Sequence, residues 1–355
     1  MGKILIKSGR LWNGNNFSYQ DVLVENGSIA EIGKNICEHA DFIYDANGKI
    51  VSAGLVDAHI HMRGISSKIW GTQPEMSCFP FGVTAACDGN AAYGDKTLLD
   101  SFMVKNRVFI GVPIKNNEPD FSLFERKMEL FGEKVVGIKI VYDEVVSEVY
   151  DIKPLKEIVS FAHERNLIVM VHCSNSPVPM ADILAVLEKG DILTHAYHGG
   201  IHSAATDDFL SMIDAKKRGV IIDAGLAGHV HTDFKVFEDA IKQGAIPDII
   251  STDLTRASAY VRGGRYGMTM CMSIAKKMGM KEEDIFRAVT QAPAKALGKV
   301  GEWGCLHIGK QADIVVLDYT QDAFCLTDKA GNCVCDEMGY RCVLTVVDGQ
   351  VVFRL

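Results

Sequence analysis

A few histidines, one lysine and one aspartate stand in this chain at positions that suit a metal ion. In Asp57-Ala58-His59-Ile60-His61, two histidines are separated by a single residue. Side chains two apart on an extended segment point the same way, so His59 and His61 can grip one ion from one side. Further on, short apolar runs end in His172 (Val169-Met170-Val171-His172), in His195 (Ile192-Leu193-Thr194-His195) and in Asp253 (Ile249-Ile250-Ser251-Thr252-Asp253). Lys139 lies inside the run Gly137-Ile138-Lys139-Ile140. Each residue also has an ordinary reading. A lone strand-end histidine is more often structural, Asp253 can cap the next helix, and Lys139 can be a surface lysine, although its apolar neighbours argue otherwise. Taken together, His59, His61, His172, His195 and Asp253 are metal-ligand types at the ends of four different strands, and the joint pattern reads as a metal site.

The elements that must position them alternate along the middle of the chain. Apolar runs at Lys49–Val51, Val83–Cys87, Val108–Val112, Val136–Val141, Ile168–Val171, Asp191–Thr194, Val220–Ile222 and Ile249–Thr252 are separated by helical stretches such as Pro154–Arg165, Ala181–Lys189, Asp207–Arg218 and Phe234–Gln243. Pro154 suits a first helical turn, and Gly190 and Gly219 fall where helices end. Apolar strands flanked by helices indicate a parallel sheet buried on both faces. Eight such units over about 250 residues fit a (β/α)8 TIM barrel, whose active sites lie at the C-terminal strand ends. No Gly-x-Gly-x-x-Gly loop follows an early strand, which weakens the doubly wound alternative. Both chain ends are β-rich, with Asn26-Gly27 and Asp348-Gly349 as two-residue hairpin turns. The expected organisation is therefore an α/β protein. Residues 1–52 and 302–355 would form one small β-sandwich domain, and residues 53–301 the metal-binding barrel.

Composition narrows the class. The 355 residues are 48% hydrophobic and 23% charged, with a formal charge of −8. An acidic balance without clustered Lys and Arg argues against a nucleic-acid partner. The first residues read as a strand rather than a signal peptide, and no apolar run approaches the roughly 18 residues needed to cross a bilayer. A cytoplasmic protein with no membrane partner is expected, and a homo-oligomer is compatible with this composition. The ten cysteines are scattered rather than dense, so reduced thiols are expected. Cys333-Val334-Cys335 is the only close pair, and its single intervening residue does not match zinc-finger spacing.

The sequence resembles the amidohydrolase superfamily over nearly its whole length. The resemblance is carried by Gly54-Leu55-Val56-Asp57-Ala58-His59-Ile60-His61, by Thr290-Gln291-Ala292-Pro293-Ala294, by Ile308-Gly309-Lys310-Gln311-Ala312-Asp313-Ile314-Val315-Val316, and by the split β-domain. Lys139 points to the binuclear branch. Within it, Glu188-Lys189-Gly190-Asp191-Ile192-Leu193-Thr194-His195 and Ile250-Ser251-Thr252-Asp253-Leu254 are most similar to the amidohydrolase/deacetylase group, which is dihydroorotase-like. The resemblance implies that Lys139 takes up carbon dioxide as a carbamate and bridges two divalent metal ions. His59, His61 and Asp253 would hold the first, and His172 and His195 the second. Nitrogen and oxygen ligands suit zinc. A hydroxide between the metals would attack a carbonyl, with Asp253 as the catalytic proton carrier.

Substrate groups follow in part from the same resemblance. Arg63 and Asn90 occupy positions similar to dihydroorotase residues that hold the substrate. The loops add Tyr197, His198, His229, His231, Tyr260, Arg262 and Arg265. Together they favour a small anionic substrate carrying an amide, cyclic amide or acyl ester. The nearest rival is a mononuclear aminohydrolase of the adenine or cytosine deaminase type. Such enzymes resemble this chain in the histidines and last aspartate but place a glutamate after the strand-five histidine, where Cys173-Ser174-Asn175-Ser176-Pro177 carries no acid. A sugar-phosphate deacetylase would need a strand-three glutamate. An assembly protein on the same barrel would have lost the ligands.

Overall fold

The computed structural model describes residues 2–62, 70–90, 95–227, 230–261 and 266–355. Seven parallel strands pair in chain order: Leu55–Ile60, Val83–Asp88, Lys105–Gly111, Val135–Val141, Ile168–His172, Ile192–Thr194 and Ile221–Ile222. Residues 249–254 supply the eighth. On one edge Ala224 N donates to Ile249 O (3.0 Å) and Leu226 N to Ser251 O (3.1 Å); on the other, Asp253 N donates to His59 O (2.7 Å) and His61 N to Leu254 O (2.9 Å). These bonds close the sheet into a (β/α)8 barrel. The first two barrel strands are buried at every residue, as expected when helices cover the outside and side chains fill the inside.

The outer helices form for legible reasons. In Lys153–His163, Leu155, Ile158, Val159 and Ala162 are buried on one stripe, and Pro154 occupies the first turn. Leu210–Arg218 ends at Gly219, whose φ of 96° supplies the left-handed cap. Gly190 lies in the turn beyond Met180–Val186 rather than at the helix end itself.

Both termini build a second sheet. Ile4–Trp12, Phe17–Glu25, Ser28–Gly33, Phe42–Asp45 and Ile50–Ala53 join Ile314–Thr327, Cys333–Val347 and Gln350–Arg354 in eight strands. The halves meet where Ile50–Ala53 runs antiparallel to Ile314–Leu317. This is the small β-sandwich domain, with a core that includes Ile6, Leu11, Val22, Val24, Ile314, Val316 and Leu344. Asn26-Gly27 and Asp348-Gly349 all have positive φ, as their hairpins require.

Three expectations are corrected. The run at Lys49–Val51 is not a barrel strand. Ile50–Ala53 belongs to the small sheet, and the barrel begins at Leu55, because a buried apolar run carries no mark of which sheet it joins. The C-terminal end, read from the sequence only as β-rich around Asp348-Gly349, also carries a long hairpin that runs well past its apolar stretches at 312–317 and 343–347. It extends to Thr327 and returns from Cys333, through residues that mix exposed and buried positions, such as the buried Phe324, Val334 and Tyr340, and so carry no continuous apolar run. Its turn docks on the barrel. Phe234 N donates to Asp328 Oδ2 (2.7 Å) and Asn332 Nδ2 to Asp233 Oδ1 (3.2 Å). Finally, the thiols are not all reduced. The hairpin register sets Cys325 opposite Cys335, and the two are disulfide-bonded; the other eight cysteines are free. Among the described residues no helix is long and apolar enough to cross a membrane.

Candidate metal centre

The closure of the barrel brings the strand ends together. His59 and His61 end the first strand, Lys139 lies on the fourth, His172 ends the fifth, His195 follows the sixth, and Asp253 ends the eighth. All but His61 are buried. Two groups of donors result. His59, His61 and Asp253 can converge on one ion, as can His172, His195 and His231. The groups adjoin, with the His59 and His195 rings 5.3 Å apart and those of His172 and His195 4.5 Å apart. His195 (φ 61°) and Asp253 (φ 45°) both adopt the left-handed backbone that non-glycine residues avoid. Such strain persists where surrounding structure enforces it, and commonly at functional sites.

The neighbours of each ring determine which nitrogen has a free lone pair. Thr194 Oγ1 gives its proton to Asp223 Oδ2 (2.7 Å), so it can only accept from His59 Nδ1 (3.1 Å). The His59 proton therefore sits on Nδ1, and Nε2 is left as donor. His195 Nδ1 donates to Gly225 O (2.6 Å), which likewise frees Nε2. His172 Nε2 lies 3.4 Å from Asp143 Oδ2 and 2.7 Å from Ser174 Oγ, which leaves Nδ1. Partners of this kind orient metal-binding histidines and raise their basicity. Burial drives the pKa of His59 and His195 well below the ordinary histidine value, with Lys139 adding to the effect on His59 and His231 on His195. The rings are neutral and their lone pairs available.

Asp253 shows that these donors fit a cation. Its Oδ1 is 3.0 Å from His61 Nε2 and 3.3 Å from His59 Nε2, yet among the described residues it accepts no hydrogen bond. Buried lone pairs facing each other are costly unless a cation lies among them. Lys139 Nζ is 3.1 Å from His59 Nε2, and burial lowers its pKa to about 8. A second layer of buried acids braces the site. Asp57 accepts from Thr252 Oγ1 (2.5 Å) and from Thr252 N (3.1 Å), and burial raises its pKa to about 7. Burial likewise raises Asp223 to about 6. The fit is close enough that a Cβ at Gly89 would lie 2.2 Å from His59 Cδ2, and one at Gly225 2.3 Å from Thr194 Oγ1.

A family model, the amidohydrolase family, matches residues 50–352 of this chain. The chain belongs to the amidohydrolase family. It is an enzyme, a metal-dependent amidohydrolase, like others of a family whose members use metal ions. Over 98% of both chains it is 28% identical to a deacetylase of Enterococcus faecalis (strain ATCC 700802 / V583). A dihydroorotase crystal structure superposes with a TM-score of 0.86 at 24% identity, covering 99% of this chain and 98% of the other. The crystal structure of an adenine deaminase superposes at 0.80 with 26% identity, covering 98% of each.

Within this amidohydrolase the remaining candidates divide. Asn90 follows the second barrel strand, and its side chain packs over Gly111, where a Cβ would come within 2.7 Å of Asn90 Oδ1. His231 was expected near the substrate. Its ring is 4.3 Å from His195 and 4.6 Å from His172, so it belongs to the donor cluster as well. Tyr197 is not at the site: its hydroxyl donates to Ala245 O (2.9 Å) and its ring packs on Phe237. Cys173 is core, donating to Thr194 O (3.4 Å), with burial pushing its thiol up to about 12. Arg63, His229, Arg262 and Arg265, and the Tyr260 side chain, lie outside the described residues. Asp143, Ser174, Thr194 and Asp223 were missed. Each stands at or just beyond the C-terminal end of a barrel strand, but its partner comes from a different strand or loop, so position alone did not mark it out.

Proposed function

We propose that this amidohydrolase hydrolyses an amide, cyclic amide or acyl ester in a small carboxylate-bearing substrate, at a centre that holds two divalent ions. The observation that carries this reading is the pair of adjoining donor groups, with the buried Lys139 in contact with one of them. His59, His61 and Asp253 would hold the first ion, and His172 and His195 the second. A lysine whose pKa has fallen to about 8 has a neutral amine at hand to add carbon dioxide, and the resulting carbamate offers the two oxygens that an ammonium lacks. Zinc suits this mixture of nitrogen and oxygen donors. Bound there, the cations would acidify water and polarise the scissile carbonyl.

The protein's own groups then position and move protons. With Oδ1 turned to the first ion, Asp253 Oδ2, which faces His195 Nε2 (3.8 Å) and His231 Nε2 (3.9 Å), is the site for the proton of attacking water, which Asp253 returns to the leaving nitrogen or oxygen. Asp143 faces His172 Nε2, and Ser174 Oγ lies between His172 Nε2 (2.7 Å) and His231 Nδ1 (2.9 Å). A proton on His172 Nε2 donated to Ser174 directs the serine proton to His231 Nδ1. His231 then keeps its own proton on Nε2, a state in which it would donate to a substrate oxygen rather than join His172 and His195 on an ion. His198 offers a similar donor. Its Nδ1 accepts from Gly200 N (3.1 Å), which leaves the proton on Nε2, and that buried atom has no partner among the described residues. Arg63 and Arg262 would hold the carboxylate and Asn90 the neighbouring polar edge.

Protein of assayed metal content, screened against N-acyl amino acids, O-acyl hydroxy acids, dihydroorotate and hydantoins, tests the reading. Acids should outrun their neutral amides. Arg63→Met should cut kcat/KM for the acid by about 10- to 100-fold. An unchanged acid-to-amide ratio in both Arg63→Met and Arg262→Met would sink the anionic-substrate reading. A second reading, an aminohydrolase, draws on the likeness to the adenine deaminase structure. Ammonia release from adenine or cytosine, with one metal per chain and unmodified Lys139 by intact mass, would favour it.

A further inference from the structure

The long hairpin that leaves the small domain carries a second cluster of soft donors, distant in type from the histidine centre. Cys325 lies on the outgoing strand and Cys333 and Cys335 on the returning one. Cys325 is directly opposite Cys335, and Cys333 is two residues away on the same strand. Residues two apart on a strand face one side of the sheet, and directly opposed residues share a face. All three side chains therefore project from one face of the ribbon, and all three are exposed. Cys325 and Cys335 are bonded. Cys333 Sγ stands 3.2 Å from Cys325 Sγ and 3.7 Å from Cys335 Sγ, and 3.6 Å from Thr327 Oγ1.

We propose that Cys325, Cys333 and Cys335, with the Cys325–Cys335 bond reduced, form a three-thiolate site for one soft divalent cation, zinc being the best match. A zinc–sulfur distance of about 2.3 Å in a tetrahedron separates the sulfurs by about 3.7–3.8 Å. Cys333 already meets that spacing to Cys335 and nearly to Cys325, so only the bonded pair has to open. Opening takes two electrons and two protons from a dithiol reductant, which closes to its own disulfide as the two cysteine thiols are released. The cation then displaces the thiol protons, and solvent occupies the fourth position. The exposed side chains have room to turn, and the Thr327 hydroxyl is placed to donate to the Cys333 thiolate. The site crosses both strands just before the 328–332 turn, whose Asp328 and Asn332 grip the residues that begin helix Phe234–Lys242. A bound cation would pin that turn to the barrel, next to the loop that carries His231.

Cobalt(II) added to the reduced full-length holoenzyme tests the proposal without reference to activity. Thiolate ligands give cobalt a near-ultraviolet charge-transfer band, which nitrogen and oxygen ligands of the histidine centre cannot give. The band should saturate at one equivalent, vanish in Cys333→Ser and in Cys335→Ser, persist in Cys37→Ser, and be absent from the oxidised protein. No band in reduced wild type, or a band that survives Cys333→Ser, would overturn the site. Alkylation of wild type gives a second reading that needs no variant. Cobalt should protect Cys325, Cys333 and Cys335 together, and protection of fewer than these three would also overturn it.

Discussion

At the scale of residues, Asp253 is where the proposed chemistry is tested most directly. It ends the last barrel strand with a left-handed backbone, faces His59 and His61, and among the described residues keeps one carboxylate oxygen without a hydrogen bond. As the proton carrier, Asp253→Asn should lower turnover by roughly 10²- to 10⁴-fold while the remaining donors retain metal. Steady-state rates with metal content measured on the same sample check this, and a near-normal rate would assign the proton to another group. Lys139 can be tested separately. Mass spectrometry under native conditions should find about 44 Da of added carbon dioxide in the metal-loaded enzyme, a carbamate that the neutral amine forms, and Lys139→Ala should lose both that mass and part of the metal. Retention of two ions per chain in Lys139→Ala would show that the lysine bridges nothing.

Among elements, the join between small domain and barrel has a titratable tie. Glu282 begins helix Glu282–Ala288 and meets Arg10 Nη2 (2.5 Å), Lys276 Nζ (3.3 Å) and the Tyr340 hydroxyl (3.0 Å). Arg10 and Tyr340 come from strands built by opposite ends of the chain. Burial opposes the charge of Glu282, but the Arg10 hydrogen bond and the Lys276 charge outweigh it and lower its pKa. A carboxyl lowered on folding stabilises the protein above its unfolded pKa, and the stabilisation is lost as pH falls through the folded value. Glu282→Gln should therefore cost about 1 kcal/mol near pH 7, a figure reduced for partial exposure. The deficit should close as pH drops below roughly 4. Urea titrations of both proteins across that range decide it, and a deficit independent of pH would show that the carboxylate charge is not what matters.

For the whole molecule, the barrel closes over its own donor cluster. The bonds from Asp253 N to His59 O and from His61 N to Leu254 O join the first and last strands at the very residues that would hold metal. Metal and barrel closure should then be thermodynamically linked. Ligand at about 100 times its Kd adds roughly 2.7 kcal/mol to the folded state, so stripping the ions should lower Tm by several degrees. Calorimetry of chelated and reconstituted enzyme measures this. An unchanged Tm would mean that the donors are rigidly held whether or not they are filled.

Much of this was legible in the residues. His59 and His61 declare themselves because a strand alternates, so a spacing of two is also a statement about direction. His172, His195 and Asp253 were legible because a barrel gathers strand ends on one face. Asn26-Gly27 and Asp348-Gly349 were legible because few dipeptides accept positive φ twice. What lies far apart in the chain was not. Whether Lys49–Val51 belonged to barrel or small sheet depended on partners more than 250 residues away. Asp143, Ser174 and Asp223 became part of the site only when closure packed their strands beside those of the histidines. The cysteines show the same limit over a shorter distance. Cys333-Val334-Cys335 reads poorly as a metal pair, and it takes the hairpin register to bring Cys325 against both. A local spacing constrains direction along one strand, whereas the third ligand is chosen by pairing, and pairing is settled by the burial and hydrogen bonding of the whole sheet.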